Sequence, residues 1–154
     1  MPRDLPVTQV MSRDVLVVRP EDNVEDVVRL LGQRGISGAP VVDADGLLVG
    51  LLDDSDLLVA DARLHAPTVV ELLGAYLTLP GEQRRYETEL RHALARTVAE
   101  LMRTPGPSVT DQAIVEDVAT LMVEDGVSRV PVVDEAGLVV GIVTRGDLVA
   151  AMGR

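Results

Sequence analysis

Short apolar runs alternate with charged turns along this chain, and they predict a mixed helix and strand protein. Residues 40–42 and 47–52 are apolar and rich in β-branched or aliphatic side chains, and residues 43–46 between them have the composition of a tight turn. Both runs are apolar at consecutive positions, which is typical of strands buried on both faces. This stretch therefore predicts a buried β-hairpin.

A helix is predicted before the hairpin and another after it. Asn23 is suited to cap the first helix, with Asp26 three residues later as a capping-box partner, and Gly35 is suited to end it. Its apolar stripe falls at positions i, i+3, i+4 and i+7, which are occupied by Val24, Val27, Val28 and Leu31. The second helix opens with carboxylates, which favour the positive end of the helix dipole: Asp53, Asp54 and Asp56.

The whole pattern occurs twice, at a constant offset of 91 residues. Residues 35–57 and 126–148 are identical at twelve of 23 aligned positions, and a short helical lead and an apolar extended run precede each copy. A single copy would expose an apolar face, so two copies in one chain predict one domain of two packed halves. We expect two βαββα units, residues 5–60 and 98–152, related by an approximate two-fold axis.

Residues 61–97 interrupt this symmetry and predict a helical insert. Five acidic residues balance five arginines there, so the net charge of −11 is carried by the repeats and the termini. Pro67 suits the first turn of a helix, and the Leu-Pro-Gly sequence at 79–81 is typical of a break. Gly and Ser are scarce, so a helical hairpin is expected rather than a flexible linker.

Composition excludes several classes of function. The chain has no Lys and no Cys, which excludes a P-loop lysine, a Schiff base, disulfides, thiolate metal sites and a cysteine nucleophile. The charge of −11 opposes binding to nucleic acid and to anionic membranes, and no apolar run approaches the length of a membrane span. No apolar signal core opens the chain, so we expect a cytoplasmic protein. His65 and His92 are isolated, and no metal site is expected.

The repeated motifs resemble those of the CBS domain (cystathionine-β-synthase motif). They are Gly-h-x-x-x-Pro-Val-Val-Asp (where h is apolar), a Gly at the hairpin turn, and Gly-h-h-Thr-x-x-Asp, of which the first copy has Asp in place of Thr. CBS domains occur as tandem pairs, called Bateman modules, so the resemblance implies an α/β (α+β) CBS-domain pair. It also implies that AMP, ADP, ATP or S-adenosylmethionine binds between the repeats as a regulatory ligand, with Mg²⁺ as an optional companion of the nucleotide and no required cofactor.

The resemblance assigns one cleft to the helix start of the second repeat, here called the Asp147 cleft. In the family, the Asp of Thr-x-x-Asp accepts both ribose hydroxyls and the Thr faces ribose or phosphate, which implies these roles for Asp147 and Thr144. Backbone of the opposite repeat reads the adenine edge. The remaining candidates are Ile36, Ser37 and Gly38 at that edge, Arg19 and Val24 nearby, and Arg129 and Arg145 as phosphate contacts.

The other cleft, here called the Asp56 cleft, departs from the family pattern. Asp53 stands where Thr or Ser is expected, and an ionised carboxylate there would repel phosphate. Val127 and Ser128 would complete this cleft, and Arg129 of the second repeat has Gly38 as its counterpart. We therefore expect one high-affinity nucleotide per chain.

Three functions remain open from the sequence. The first is a non-catalytic sensor that forms a homodimer, with the insert at or beside the interface or projecting to a partner, and signals to an effector protein. The second is a constitutive interaction scaffold with degenerate clefts, in which Thr144 and Asp147 are only a helix cap. The third is a Mg²⁺-dependent enzyme that uses Asp53, Asp54 and Asp56; no set of base, nucleophile and oxyanion donors supports it, so no enzyme is expected.

Overall fold

The computed structural model describes residues 2–57 and 96–153, which contain nearly all of both repeats. In the first repeat, two 3-10 turns precede one long helix and a hairpin: Pro2–Asp4, Val7–Gln9, α1 Val24–Arg34, β1 Ala39–Val42 and β2 Leu48–Leu52. Residues 54–57 are again helical. The second repeat contains α2 Val98–Leu101, β3 Val109–Thr110, α3 Val115–Asp125, β4 Arg129–Val133, β5 Val139–Thr144 and α4 Arg145–Met152.

The start and end of α1 follow from the residues predicted to fix them. The Asn23 side chain accepts hydrogen bonds from the backbone N–H groups of Glu25 and Asp26, at 2.9 and 3.3 Å. Gly35 ends the helix with a φ of +66°, a left-handed conformation that costs glycine little. The predicted bounds of this helix are confirmed.

Both predicted hairpins form. β1 pairs antiparallel with β2, and β4 pairs antiparallel with β5. In each turn an aspartate accepts two backbone N–H bonds: Asp43 from Asp45 and Leu47, and Asp134 from Ala136 and Leu138. All four residues of β1 are buried, as the continuous apolar run indicated.

The extended run before each helix differs between the repeats. In the second repeat, β3 pairs parallel with β4 to give a three-stranded sheet. In the first repeat, only Val18 makes the equivalent parallel pairing, with Val41. The apolar extended run expected before α1, which is residues 15–18, thus pairs only through a single bridge, and we find no physical reason for the difference.

Each repeat is completed by the lead segment of the other repeat. Val7 and Met11 of the N-terminal lead pack in the core of the second repeat, with Val118, Val130 and Val143. Conversely, Val98 of the second lead packs in the core of the first repeat, with Leu101 and Met102 against it. The sequence had placed each lead with its own unit, and the structure shows that the leads are exchanged.

Contacts between the repeats occur in pairs related by the 91-residue offset. The backbone of Ser12 bridges to Ile142, and its counterpart Arg103 bridges to Leu51. Leu47 and Leu138, which are counterparts of each other, pair directly. This is the expected pseudo-two-fold arrangement of an α+β pair.

Most of the predicted insert lies outside the described residues. At its end, Thr97 is extended and α2 begins at Val98. Within residues 2–57 and 96–153, none of the helices combines the length and the apolar character needed to cross a membrane.

Candidate ligand clefts between the repeats

Asp53 joins the two repeats across the Asp56 cleft. Its side chain is 1% exposed. Oδ1 accepts hydrogen bonds from the backbone N–H of Ser128 at 3.1 Å and from the Ser128 hydroxyl at 2.9 Å, while Ser55 donates to Oδ2 at 3.1 Å. The sequence placed Asp53 and Ser128 in one cleft, and the structure brings them into direct contact.

The environment of Asp53 favours its ionised form. Burial raises the pKa of Asp53, but the side-chain contact with Asp54 and the hydrogen bonds from Ser128 and Ser55 together outweigh burial, so the pKa lies below its usual value. Asp53 is therefore a buried carboxylate that the protein stabilises as an anion.

Arg129 supplies the counter-charge for Asp53 inside the protein. The residue is 6% exposed, and its Nε lies 3.5 Å from Asp53 Oδ1 without making a hydrogen bond. Its Nη1 donates to the Gly38 carbonyl at 3.2 Å, and its Nη2 donates to the Ser37 hydroxyl at 2.6 Å. The guanidinium thus lies between the repeats, where contact with a phosphate would require it to leave Asp53.

Gly38 makes room for this guanidinium. A Cβ at Gly38 would lie 2.8 Å from Arg129 Nε and would also collide with the Leu52 carbonyl oxygen. Gly38 is the repeat counterpart of Arg129, so one copy supplies the large side chain and the other supplies the space.

Asp56 is held by an arginine that the sequence analysis did not identify. Its carboxylate accepts the backbone N–H of Asp53 at 3.0 Å and lies 3.4 Å from the Nε of Arg103. Arg103 also donates to the Ser55 hydroxyl at 3.1 Å and to the Asp125 carbonyl at 2.8 Å. The repeat alignment could have identified Arg103, because the 91-residue offset aligns it with Ser12 and so shows a charge that only one copy has.

Thr144 and Asp147 form a reciprocal helix cap at the start of α4. The Thr144 N–H donates to Asp147 Oδ2 at 2.9 Å, and the Asp147 N–H donates to the Thr144 hydroxyl at 3.3 Å. Both residues are half-buried. Among the described residues, no hydrogen bond connects either side chain to the opposite edge at Ile36, Ser37 and Gly38. The Asp147 cleft is therefore not bridged in the way that the Asp56 cleft is.

The other predicted site residues lie at varied depths. Ile36, Ser37, Arg19 and Arg145 are exposed, and Gly38 is buried. Within the ranges that the structure describes, neither Arg19 nor Val24 is hydrogen-bonded to Thr144 or Asp147; their backbone N–H groups bond to Asp22 and Arg96. Val127 is fully buried in the core, so only its backbone could face a ligand.

The two clefts differ in charge at equivalent positions. Arg145 at the Asp147 cleft corresponds to Asp54 at the Asp56 cleft, and Thr144 corresponds to Asp53. Arg34, exposed at the end of α1, corresponds to Asp125, whose carbonyl meets Arg103. Arg34 is a second residue that the sequence analysis missed. At these two pairs of equivalent positions, Arg145 with Asp54 and Arg34 with Asp125, the Asp147 cleft thus has arginine where the Asp56 cleft has aspartate.

A separate apolar groove lies on the helical face of the second repeat. It runs between α3 and α4 and shares no residue with either cleft; its lining includes Arg3, Val115, Ala119, Val123, Leu148 and Met152. Val123 is 83% exposed.

The family model of the CBS domain matches residues 7–63 and 98–154. An uncharacterized protein of Methanocaldococcus jannaschii, MJ1426, is 33% identical over 95% of this chain and 90% of its own. The chloroplastic CBS domain-containing protein CBSX1 of Arabidopsis thaliana is 36% identical over 91% of this chain, which spans 60% of that relative's length.

Solved structures show the same architecture. The complex of CBSX2 with AMP is similar at a TM-score of 0.65 and 31% identity, covering 92% of this chain and 90% of that one. The CBS domain pair of MJ0100, solved with 5′-methylthioadenosine and S-adenosyl-L-methionine, has a TM-score of 0.71 at 24% identity, covering 96% of this chain and 98% of that one. With two family matches at the two repeats and an exchanged pseudo-symmetric fold, this chain belongs to the CBS domain family as a tandem pair.

Proposed function

We propose that this protein is a non-catalytic regulatory module that binds one adenosine nucleotide per chain in the Asp147 cleft. The observation that carries the proposal is the contrast between two equivalent carboxylates. Asp56 is paired with Arg103, whereas Asp147 makes only its helix-cap contact among the described residues. CBSX2, whose structure contains AMP, is the relative that supports an adenosine ligand.

In this proposal, Asp147 accepts the ribose hydroxyls and Thr144 donates to a ribose or phosphate oxygen. A carboxylate oxygen free of the cap contact is a strong acceptor for a hydroxyl. The backbone at Ile36, Ser37 and Gly38 provides the adenine edge. Arg129 supports this edge from inside through its bonds to Ser37 and Gly38.

Phosphate groups are assigned to the arginines at the surface of the cleft. Arg145 and Arg34 are exposed and replace the aspartates of the other cleft. The physical reason is charge: two guanidinium groups attract an anionic phosphate, whereas aspartate carboxylates at the equivalent positions of the other cleft repel it. AMP, ADP and ATP share this chemistry, and Mg²⁺ would accompany the longer phosphate chains.

The acidic cluster is a weak candidate for catalysis. Asp53 is engaged by Ser128 and Arg129, and Asp56 is engaged by Arg103, so two of the three carboxylates already have cationic partners. A Mg²⁺-dependent enzyme would need to break both ion pairs. The scaffold alternative remains, and it predicts no response to any adenosine compound.

The apolar groove supports a homodimer as the form that signals to an effector protein. Val123, Val149 and Met152 are exposed on α3 and α4, and burying such side chains in a second copy would stabilise the assembly. Light scattering is expected to give a dimer at micromolar concentration, and Val123→Asp is expected to weaken it. A monomer for the parent protein would contradict this part of the proposal. A cytoplasmic location remains a prediction, and two plant relatives are named as chloroplastic.

A thermal-shift screen tests the proposed function. AMP, ADP, ATP, S-adenosylmethionine and NAD would each be added with and without Mg²⁺. A rise in melting temperature with an adenosine nucleotide supports the sensor, since a ligand that binds only the folded state stabilises it. An unchanged melting temperature with all five compounds supports the scaffold, and consumption of ATP supports the enzyme.

A further inference from the structure

Arg103 is positioned in the Asp56 cleft by the exchanged lead. Its backbone forms two hydrogen bonds with Leu51, at 2.8 and 3.1 Å, which fix the segment after α2 against the first repeat. The guanidinium pairs with the Asp56 carboxylate and donates hydrogen bonds to the Ser55 hydroxyl and to the Asp125 carbonyl at the C-terminal end of α3. A cation is favourable at that end of a helix. The side chains are 33% exposed for Arg103 and 18% exposed for Asp56, so the pair remains partly accessible to solvent.

We propose that Arg103 closes the Asp56 cleft by holding the carboxylate that would otherwise accept a ribose. Arg103 is thus a specificity-determining residue: it limits the chain to one adenosine site. This inference rests on the proposed function, in which the Asp147 cleft binds the nucleotide. A second contact reinforces the closure, because Asp53 already accepts the Ser128 N–H at the edge where adenine would be read.

The other repeat provides the comparison. Ser12 is the counterpart of Arg103, and its backbone pairs with Ile142 through two bonds of 2.9 Å. Asp147 follows Ile142 at the same spacing as Asp56 follows Leu51. Ser12 is exposed, and its hydroxyl is too short to reproduce the guanidinium contacts. The Asp147 cleft therefore lacks this closing residue at the equivalent position.

Moving the closing residue to the Asp147 cleft is the first test. Ser12→Arg should place a guanidinium against Asp147, so that this carboxylate can no longer accept hydrogen bonds from the ligand. Calorimetry should then show AMP binding weakened roughly tenfold or more. Ser12→Gln is the control, because it adds a hydrogen-bonding side chain that is uncharged and shorter than arginine, and its effect should be smaller. The position is exposed, so neither change should prevent folding.

Removing the closing residue is the reciprocal test. Arg103→Ser installs the residue of the other repeat, and adenosine is the probe because Asp53 and Asp54 repel phosphate. The parent should bind one adenosine per chain and Arg103→Ser two, the second more weakly because Asp53 still engages Ser128. Arg29→Ser is the control, since it removes an arginine from an exposed ion pair on α1 and should leave the stoichiometry at one.

The outcomes separate this inference from the proposed function. If the parent binds AMP but Ser12→Arg binds it equally well, or Arg103→Ser shows no added site, the inference is overturned and the proposed function stands. If the parent binds neither AMP nor adenosine while Arg103→Ser binds adenosine, the closing role is supported and the proposed function fails. If the parent and Arg103→Ser both bind nothing, both are overturned.

Discussion

At the scale of single residues, two buried charges of opposite sign connect the repeats. Asp53 and Arg129 are both nearly inaccessible to solvent; Asp53 accepts hydrogen bonds from the opposite repeat, and Arg129 donates hydrogen bonds to it. Removing one member of such a pair leaves the other charged, buried and uncompensated, which is more costly than losing a surface contact. The pair therefore contributes mainly by fixing how the repeats meet.

Replacing Arg129 by Met should lower the free energy of unfolding by about 3–5 kcal/mol, because Asp53 loses its counter-charge. Chemical denaturation measures the change. Arg29→Met is the matched control: it breaks an ion pair whose side chains are 68% and 73% exposed, and it should change stability little. Equal effects of the two substitutions would show that the buried pair has no special role.

The lowered pKa of Asp53 predicts a dependence of stability on pH. A carboxylate whose pKa is lower in the folded state contributes stability above its unfolded pKa of about 4, and this contribution is lost as pH falls through the lower folded pKa. The parent should thus lose more stability than Asp53→Asn when pH is reduced from 5 to 3. Parallel stability curves for the two proteins over this range would contradict the assignment.

The resemblance to CBS domains singled out Asp147 and Thr144 as candidate ligand contacts, and the 91-residue offset showed that Asp53 departs from Thr144 at the equivalent position. The direction of the Arg129 side chain was not predictable, because it depends on the space that Gly38 leaves in the other repeat. Arg103 was missed for a related reason. Its partners Asp56 and Asp125 are distant in sequence, and only the exchange of the leads brings them together.

At the scale of elements, the exchanged leads determine where close packing is needed. The lead residue Met102 and the carbonyl of Arg103 lie directly over Gly50 of β2, and Met11 lies in the equivalent place over Gly141 of β5. Local sequence signals predicted α1, α3 and both hairpins correctly, whereas the helices predicted in the insert lie outside the described residues. These signals could not predict which core a lead joins, since both cores present the same valine-rich surface.

Gly50→Ala should therefore destabilise the protein by about 1–3 kcal/mol, as overpacking in a well-packed core does. The added Cβ would lie 2.8 Å from both the Arg103 carbonyl oxygen and the Met102 sulfur. Gly32→Ala is the control, because nothing lies within 4 Å of its Cβ position on α1. That change should stabilise the helix by roughly 0.5–1 kcal/mol. A neutral Gly50→Ala in denaturation experiments would argue against the close approach of the lead.

At the scale of the whole molecule, the exchanged leads predict that the two repeats fold as one unit. A fragment that ends within residues 78–81 keeps the lead with Val7 and Met11 but lacks Val98, which its own core needs. Neither half should show a cooperative melt by circular dichroism, and mixing the halves should restore one. A cooperative melt from either half alone would contradict the shared cores.

The same two-fold relation places residues of different charge at equivalent positions of the two candidate clefts. At the Asp56 cleft, Asp53 bonds to Ser128 and Arg103 pairs with Asp56, whereas Asp147 makes only its helix-cap contact among the described residues. The resemblance to CBS pairs implied both clefts. The difference between them follows from residues that the repeats do not share, and it supports a single nucleotide site.

Calorimetry with AMP on Asp147→Asn and Asp56→Asn tests this account most directly. Both aspartates accept a backbone N–H three residues earlier, and Asn retains an oxygen for that bond, so the two variants are matched for their effect on the helix start. We predict one site in the parent, an affinity about tenfold or more lower for Asp147→Asn, and little change for Asp56→Asn. Two equal sites in the parent, or equal losses in the two variants, would contradict it.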